Sequence, residues 1–291
     1  LRAQAIALCF VLGIAWRASA ASATKCAVGI DHMPLAVRDL ARAAEIYRGL
    51  GFSIKPGRPH ADGIRNEHVK FEDGGGIELI TAQRAADALS ANYVQLLAHG
   101  EGPAFLSFHT HDLQILETAF RRARSAYSVD DGTLTFRDPN LQFVFFFEGN
   151  NRSPTDRPEH FQHANSAYAT AGVWIAGVWI AGGEDSPLIP LLKSAGGEVS
   201  IRKVFAPTQR SAKIVEVQNG DVVFLPESSQ IVPGRPIVGL VFLTRDLAAL
   251  QRCLDAAHIP AAAHVEAPHH RSVIVGPWQT LGLWLEFRQL R

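Results

Sequence analysis

Four aspartates divide this chain into comparable pieces. Asp39, Asp112, Asp185 and Asp246 each follow an apolar, strand-like run and each precede an apolar-striped helix, at separations of 73, 73 and 61 positions. The junctions read AVRDLARAAEIY, FHTHDLQILETAF, IAGGEDSPLIPLL and FLTRDLAALQRCL. Behind each helix comes another strand-like piece: 52–54, 127–129, 198–201 and 259–265. A supersecondary unit of this size cannot close a core of its own, so recurrence implies that units pair. The chain is therefore expected to be α+β, with four βαβββ modules forming two curled mixed sheets, each built from a pair of modules around a cleft.

The first module is the most explicit. A short alternating run from Met33 to Val37 suits a half-buried strand, and Asp39 is placed to cap the helix that follows. Leu40, Ala43, Ala44, Tyr47 and Leu50 form its apolar stripe, and Gly51 ends it. Phe52–Ile54, Val69–Phe71 and Ile77–Ile80 read as the remaining strands. This order puts a histidine, His32, on the first strand and a carboxylate, Glu78, on the last. Gly74-Gly75-Gly76 reads as a hairpin turn, because no helix follows to make a phosphate site. Phe143–Phe147 reads as a fully buried strand.

The linkers agree with pairing in sequence order. Asn150–Pro158 (NNRSPTDRP) is polar and proline-rich, and Ser228–Pro236 separates the third unit from the fourth. Modules one and two then occupy residues 28–150, and modules three and four 159–291. The third carries AGVWIAGVWIAG at 171–182, a five-residue tandem duplication. An odd shift turns the two copies to opposite strand faces, so one copy must be an extension or a bulge.

Charge and leader composition bound the function. Lys and Arg total 28 and Asp and Glu total 28, which gives no basic footprint for nucleic acid. Residues 1–23 have the layout of a secretory signal peptide: Arg2, an apolar run to Trp16, and Ala18-Ser19-Ala20 as a cleavage pattern. A periplasmic or secreted protein is expected, with no membrane association once the leader is gone. Cys26 and Cys253 would remain, either paired as a disulfide or as two separate thiols. There is no Cys-x-x-Cys, no GxSxG elbow and no Rossmann fingerprint.

Taken together, the repeat, IDHMPLAV…DL…GF at one end of module one and IELI at the other resemble the vicinal oxygen chelate superfamily. GRPHADGIRNEHVKF, with its His-x-x-Gly-x-x-Asn pattern at His60, Gly63 and Asn66, is similar to the glyoxalase-like domain family within it. HFQHANSA, carrying His163 and Asn165, and FRDPNLQFVFFFE are similar to that group too. The resemblance implies one divalent ion (Fe, Ni, Mn or Zn) held by first-strand and last-strand residues. His32 and Glu78 sit at those positions, with Glu78 also the implied catalytic carboxylate. The equivalents of His32 in the other modules are Phe105, Val178 and Gly239, which cannot bind metal, and Glu78 aligns with Phe145 in module two. A third ligand is then sought among His109, His163 and Glu286. His60, Asn66, His163 and Asn165 are the implied substrate-binding residues.

Two functions follow from the resemblance. One is a metal-dependent lyase, isomerase or dioxygenase acting on a small substrate with vicinal oxygens. The other is a metal-free protein that sequesters a small ligand, in the manner of bleomycin-resistance proteins. Modules in such proteins pair within one chain or across two, so a homodimer is compatible with either.

Overall fold

The computed structural model describes residues 27–58, 60, 62–165 and 173–291. The expected leader and Cys26 lie outside the described residues.

Module one begins with β1 (Val28–Ile30) and β2 (His32–Ala36), followed by α1 (Leu40–Gly49), β3 (Lys55–Pro56), β4 (Ile64–Lys70) and β5 (Gly76–Ala82). Asp39 caps α1 by accepting from the Arg42 amide, and Ala43, Ala44 and Tyr47 form its buried stripe. The strand expected at 52–54 is instead irregular chain: Phe52 turns into the core behind the positive-φ Gly51, and pairing starts only at Lys55. Helix α2 (Ala88–Ala98), which the repeat pattern does not contain, follows β5 and is capped reciprocally by Asp87 and Ser90. Module two comprises β6 (Gly102–Pro103), β7 (Leu106–Thr110), α3 (Leu113–Arg122), β8 (Tyr127–Asp130), β9 (Thr133–Phe136) and β10 (Val144–Glu148), with Asp112 capping α3.

Modules three and four supply β11 (Val173–Ile180), α4 (Leu188–Ser194), β12 (Glu198–Phe205), β13 (Gln209–Val217) and β14 (Gly220–Phe224), then β15 (Ile237–Thr244), α5 (Leu247–Ala256), β16 (Ala261–Ala267), β17 (His270–Val275) and β18 (Trp284–Leu290). Asp246 caps α5 as Asp39 caps α1. Asp185 does not: α4 starts later, at Leu188 after Pro187, and the Ser186 hydroxyl accepts from the Leu188 amide. Proline fits a first helical turn because its missing N–H would be unpaired there anyway.

The strands β12-β13-β14-β11-β15-β18-β17-β16 form one eight-stranded mixed sheet. In the first half the equivalent surface is split into β3-β4-β5-β2-β6 and β1-β7-β10-β9-β8. The two parts meet at Asp31, whose amide donates to Ser107 O, and at Ala104, whose amide donates to Pro34 O. The break leaves the Asp31 carboxylate at the seam.

From residue 173 to 180 the duplicated AGVWI segment is one continuous strand, β11. Its register against β15 shifts between Ile175 and Gly177, at the junction of the copies. This bulge returns Ile175 and Val178 to the same core although they are three residues apart, while Trp179 faces the other side.

The two halves share one hydrophobic core. Phe52 and Phe71 of module one pack on Phe242 of β15 at centroid distances of 5.4 and 5.7 Å, and Phe52 reaches Phe287 of β18 at 5.8 Å. Helix α1 lies against α5, and α3 against α4. The Tyr47 hydroxyl donates to Thr280 O across this boundary.

Candidate functional site

The pleat decides which side chains meet. In the parallel pair β2–β5, His32 lies opposite Gly76 and Pro34 opposite Glu78, while in β4–β5 His68 lies opposite Glu78 and Asn66 opposite Ile80. His32, Asn66, His68, Lys70 and Glu78 therefore share one face. Met33, Leu35, Val69, Ile77 and Leu79 alternate onto the other and enter the core.

His32 and Glu78 converge, with Nε2 of the imidazole 4.0 Å from Oε2 of the carboxylate. Each is oriented from behind. His32 Nδ1 lies 2.6 Å from Oδ1 of the buried Asp31, and Asp31 Oδ2 accepts from the Asn151 amide at 3.1 Å. Glu78 Oε1 accepts from Asn66 Nδ2 at 2.6 Å, and Asn66 Oδ1 accepts from the Arg58 amide. With Nδ1–H directed at Asp31, the ring presents an Nε2 lone pair to a carboxylate oxygen. Two acceptors facing each other call for a cation or a proton between them.

The walls around this gap are part aromatic and part basic. Phe145 and Phe147 of β10 stand edge-on to the His32 ring at 5.7 and 6.2 Å. The 143–147 run is thus not uniformly buried, because Phe146 enters the core while Phe145 and Phe147 are half-buried on the cleft side. His68 is pushed down to about 4, mainly by burial, with Glu78 opposing that shift and Lys70, Lys55 and His32 adding to it. It is neutral at pH 7.

The segment 150–158 lies against the cleft. Lys55 pairs with Asp156, whose other oxygen accepts from the Ser153 amide at 2.8 Å. The buried Lys70 ammonium donates to Asn151 O, and burial holds its pKa below the usual lysine value.

The remaining expected site residues stand elsewhere. His109 lies on β7 beyond Asp31, its Nδ1 3.8 Å from Asp31 Oδ2 and its ring against Gly29, so it shares the aspartate and not the His32–Glu78 gap. Glu286 belongs to β18 in the other sheet, where Arg288 engages both its oxygens and Ser272 donates to one. His163 is a buried strut between Phe52 and Phe71. Its Nδ1 accepts from the Ser53 amide and its Nε2 donates to Lys70 O, both at 3.0 Å, which fixes the tautomer and leaves no lone pair free. Burial pushes its pKa down to about 4.

Asn165 is equally internal, its side-chain amide donating to Leu50 O at the end of α1. Among the substrate-binding set, only Asn66 reaches a carboxylate of the site. His60 closes its own turn through backbone bonds with Ile64 and Gly63, and its Nε2 is buried without a hydrogen-bond partner among the described residues. No group of three or more His, Cys, Asp and Glu side chains among the described residues is arranged around a single metal position.

Asp31, His68, Lys55 and Lys70 are the participants that sequence reasoning missed. Reading β4 as starting at Val69 lost His68; begun at Ile64, its alternation places Asn66, His68 and Lys70 on the face that carries Glu78.

Several solved structures share this fold. A mutant of 4-hydroxymandelate synthase from Streptomyces coelicolor aligns with a TM-score of 0.65 at 12% identity, over 90% of this chain and 92% of that one. A catechol 2,3-dioxygenase aligns at 0.57 and 11% identity, over 89% and 92%. The Mn(II)-bound glyoxalase from Novosphingobium aromaticivorans aligns at 0.56 and 11%, over 89% and 81%. No curated protein sequence matches significantly. Residues 30–196 match the model of the glyoxalase-like domain, and with more than half of its length inside that match the chain belongs to the glyoxalase-like domain family of the vicinal oxygen chelate superfamily.

Proposed function

We propose that the cleft of modules one and two holds a single divalent metal ion between His32 and Glu78, and that the protein is an enzyme acting there on a small substrate with neighbouring oxygens. The observation that carries this reading is the opposed pair itself: an imidazole nitrogen and a carboxylate oxygen 4.0 Å apart, each fixed from behind by Asp31 or Asn66. Metal-binding histidines characteristically donate their second nitrogen to a carboxylate, which sets the tautomer and raises ligand basicity. One nitrogen and one oxygen donor suit Fe(II), Mn, Ni or Zn, with several coordination positions left for water and substrate. Such an ion, when bound, supplies Lewis-acid stabilisation of negative charge developing on a substrate oxygen.

The chain's own side chains then have distinct tasks. Asp31 keeps the His32 proton on Nδ1 and Asn66 keeps Glu78 turned toward the histidine. Neutral His68 borders Glu78 and accepts or donates a hydrogen bond without adding charge. Phe145 and Phe147 exclude water from one side of the gap and offer ring edges to a planar ligand.

Metal content by elemental mass spectrometry of the wild type, His32→Ala and Glu78→Ala tests the proposal. Near-stoichiometric metal that both substitutions remove supports it, and justifies screening lyase, isomerase and dioxygenase substrates. No uptake after reconstitution with Fe(II), Ni, Mn and Zn removes the enzyme reading. The sequestering-protein alternative would then lead; it draws on Phe145 and Phe147 and on the lack of a third clustered ligand among the described residues.

A further inference from the structure

The edges of the sheets differ in a way that singles out β12. In the first half the outer strands β3 and β8 are two and four residues long. The outer strand β16 is interrupted by a bulge between Ala261 and Ala263. Short strands and bulges are the usual means of blunting an edge. β12 has neither protection. It runs eight residues, pairs with β13 without a register shift, and has no strand on its other side among the described residues. Residues 198–203 are all exposed, including Val199 at 41% and Ile201 at 71%.

The side chains along this edge are complementary to themselves. A second copy added antiparallel about a two-fold axis normal to the sheet must pair residues of equal parity, so that matching faces stay on the same side. With Ser200 on the axis, Glu198 lies opposite Arg202 of the second copy, and Val199 opposite Ile201. Each contact occurs twice. Shifting the axis to Ile201 places Val199 against Lys203 and Glu198 against Val204, which loses both matches. The Ser200 register also answers a local charge imbalance: Glu198 lies opposite Glu216 across β12–β13 and makes no ion pair among the described residues. Arg202, 44% exposed, lies 2.8 Å from Asp221 and 3.9 Å from Glu216 on its inner side, and as an exposed cation of the edge strand it stands at the position that Glu198 of the second copy would meet. Opposite charges and apolar pairs directly across an antiparallel ladder are the favourable cross-strand combinations.

We propose that two copies of this chain pair through β12, antiparallel with Ser200 on the two-fold axis, joining their eight-stranded sheets into one continuous sheet. The partner is a second copy because charge and hydrophobic pattern match only when the strand meets its own reverse. This surface is independent of the His32–Glu78 cleft and of any activity there.

Cysteine crosslinking of the full chain, with light scattering, tests the register. Directly opposite residues have Cα atoms about 4.5–5.5 Å apart, within disulfide reach. Ser200→Cys should give a covalent dimer under mild oxidation, well above the parent protein. Ile201→Cys should not, because its counterparts sit diagonally, beyond the roughly 7 Å that a disulfide can span. Ile201→Lys should shift the parent from dimer to monomer at micromolar concentration while the circular dichroism spectrum is retained. A parent that is monomeric at tens of micromolar, a dimer that survives Ile201→Lys, or equal crosslinking at 200 and 201 would each overturn the proposal.

Discussion

Asp31 Oδ1 lies 2.6 Å from His32 Nδ1, between two residues adjacent in sequence, at the point where the first-half sheet breaks in two. In an unbroken strand consecutive side chains point to opposite faces and cannot meet this way. The interruption at Asp31 is thus what lets a residue hold its own neighbour. It follows that Asp31→Asn should weaken metal binding about 10–100-fold, the usual effect of losing a carboxylate behind a ligating histidine. Competition against a chromogenic chelator measures this. Unchanged affinity in a folded Asp31→Asn protein would mean that the pair is only structural.

The buried Lys55–Asp156 pair fastens segment 150–158 across the cleft, with side chains 11% and 8% exposed. Asp156→Asn leaves an ammonium buried without its counter-charge, so a loss of about 3–5 kcal/mol is expected. The double variant Lys55→Met/Asp156→Leu removes both charges and should recover most of that loss. Urea unfolding of the two variants distinguishes a tether from an ornamental surface pair, since a surface pair would cost under about 1 kcal/mol.

How far the chain was legible follows from these same residues. The aspartate caps carry their own signal, because a side chain that must accept from the helix's first amides leaves few alternatives; Asp39, Asp112 and Asp246 all behave so. Asp185 matches the spacing but not the geometry, since Pro187 occupies the N-cap position of α4 in its place. His32 and Glu78 were readable because each falls at a fixed place on its strand. His163 and Asn165 were misplaced for a physical reason: polar residues in an irregular linking segment look equally suited to a cleft and to bonding buried backbone. Only the packing of Phe52 and Phe71 around His163 distinguishes the two. The position of Glu286 was likewise a matter of which modules pair, a long-range fact that no local pattern carries.

His163 also ties stability to pH. Its folded pKa is lowered to about 4 from the ordinary 6.5, so the unfolded chain binds the proton more readily. Its contribution is complete above pH 6.5 and is lost as pH falls toward 4, at up to about 1.4 kcal/mol per pH unit. His68, shifted the same way for the same main reason, acts in the same window. The urea midpoint should therefore fall steeply between pH 6.5 and 4.5, and His163→Phe should lessen that slope while lowering stability at pH 7. An identical slope in His163→Phe would assign the acid sensitivity to other groups.

The shared aromatic core makes a further claim about cooperativity. Phe71 is fully buried at the end of β4 and touches Phe242 of β15, so the first half completes the core of the second. Truncating a buried phenylalanine costs about 3–5 kcal/mol. The natural tryptophans offer a reporter: Trp174, Trp179, Trp278 and Trp284 lie in the second half, and residues 27–165 contain none. If the halves unfold as one unit, Phe71→Ala should lower the denaturation midpoint seen by tryptophan fluorescence as much as that seen by circular dichroism. If they unfold independently, fluorescence would stay near the wild-type midpoint while circular dichroism split into two transitions. The contacts of Phe52 and Phe71 with Phe242, and of Phe52 with Phe287, favour the single transition, because neither half can release its aromatic residues without exposing those of the other.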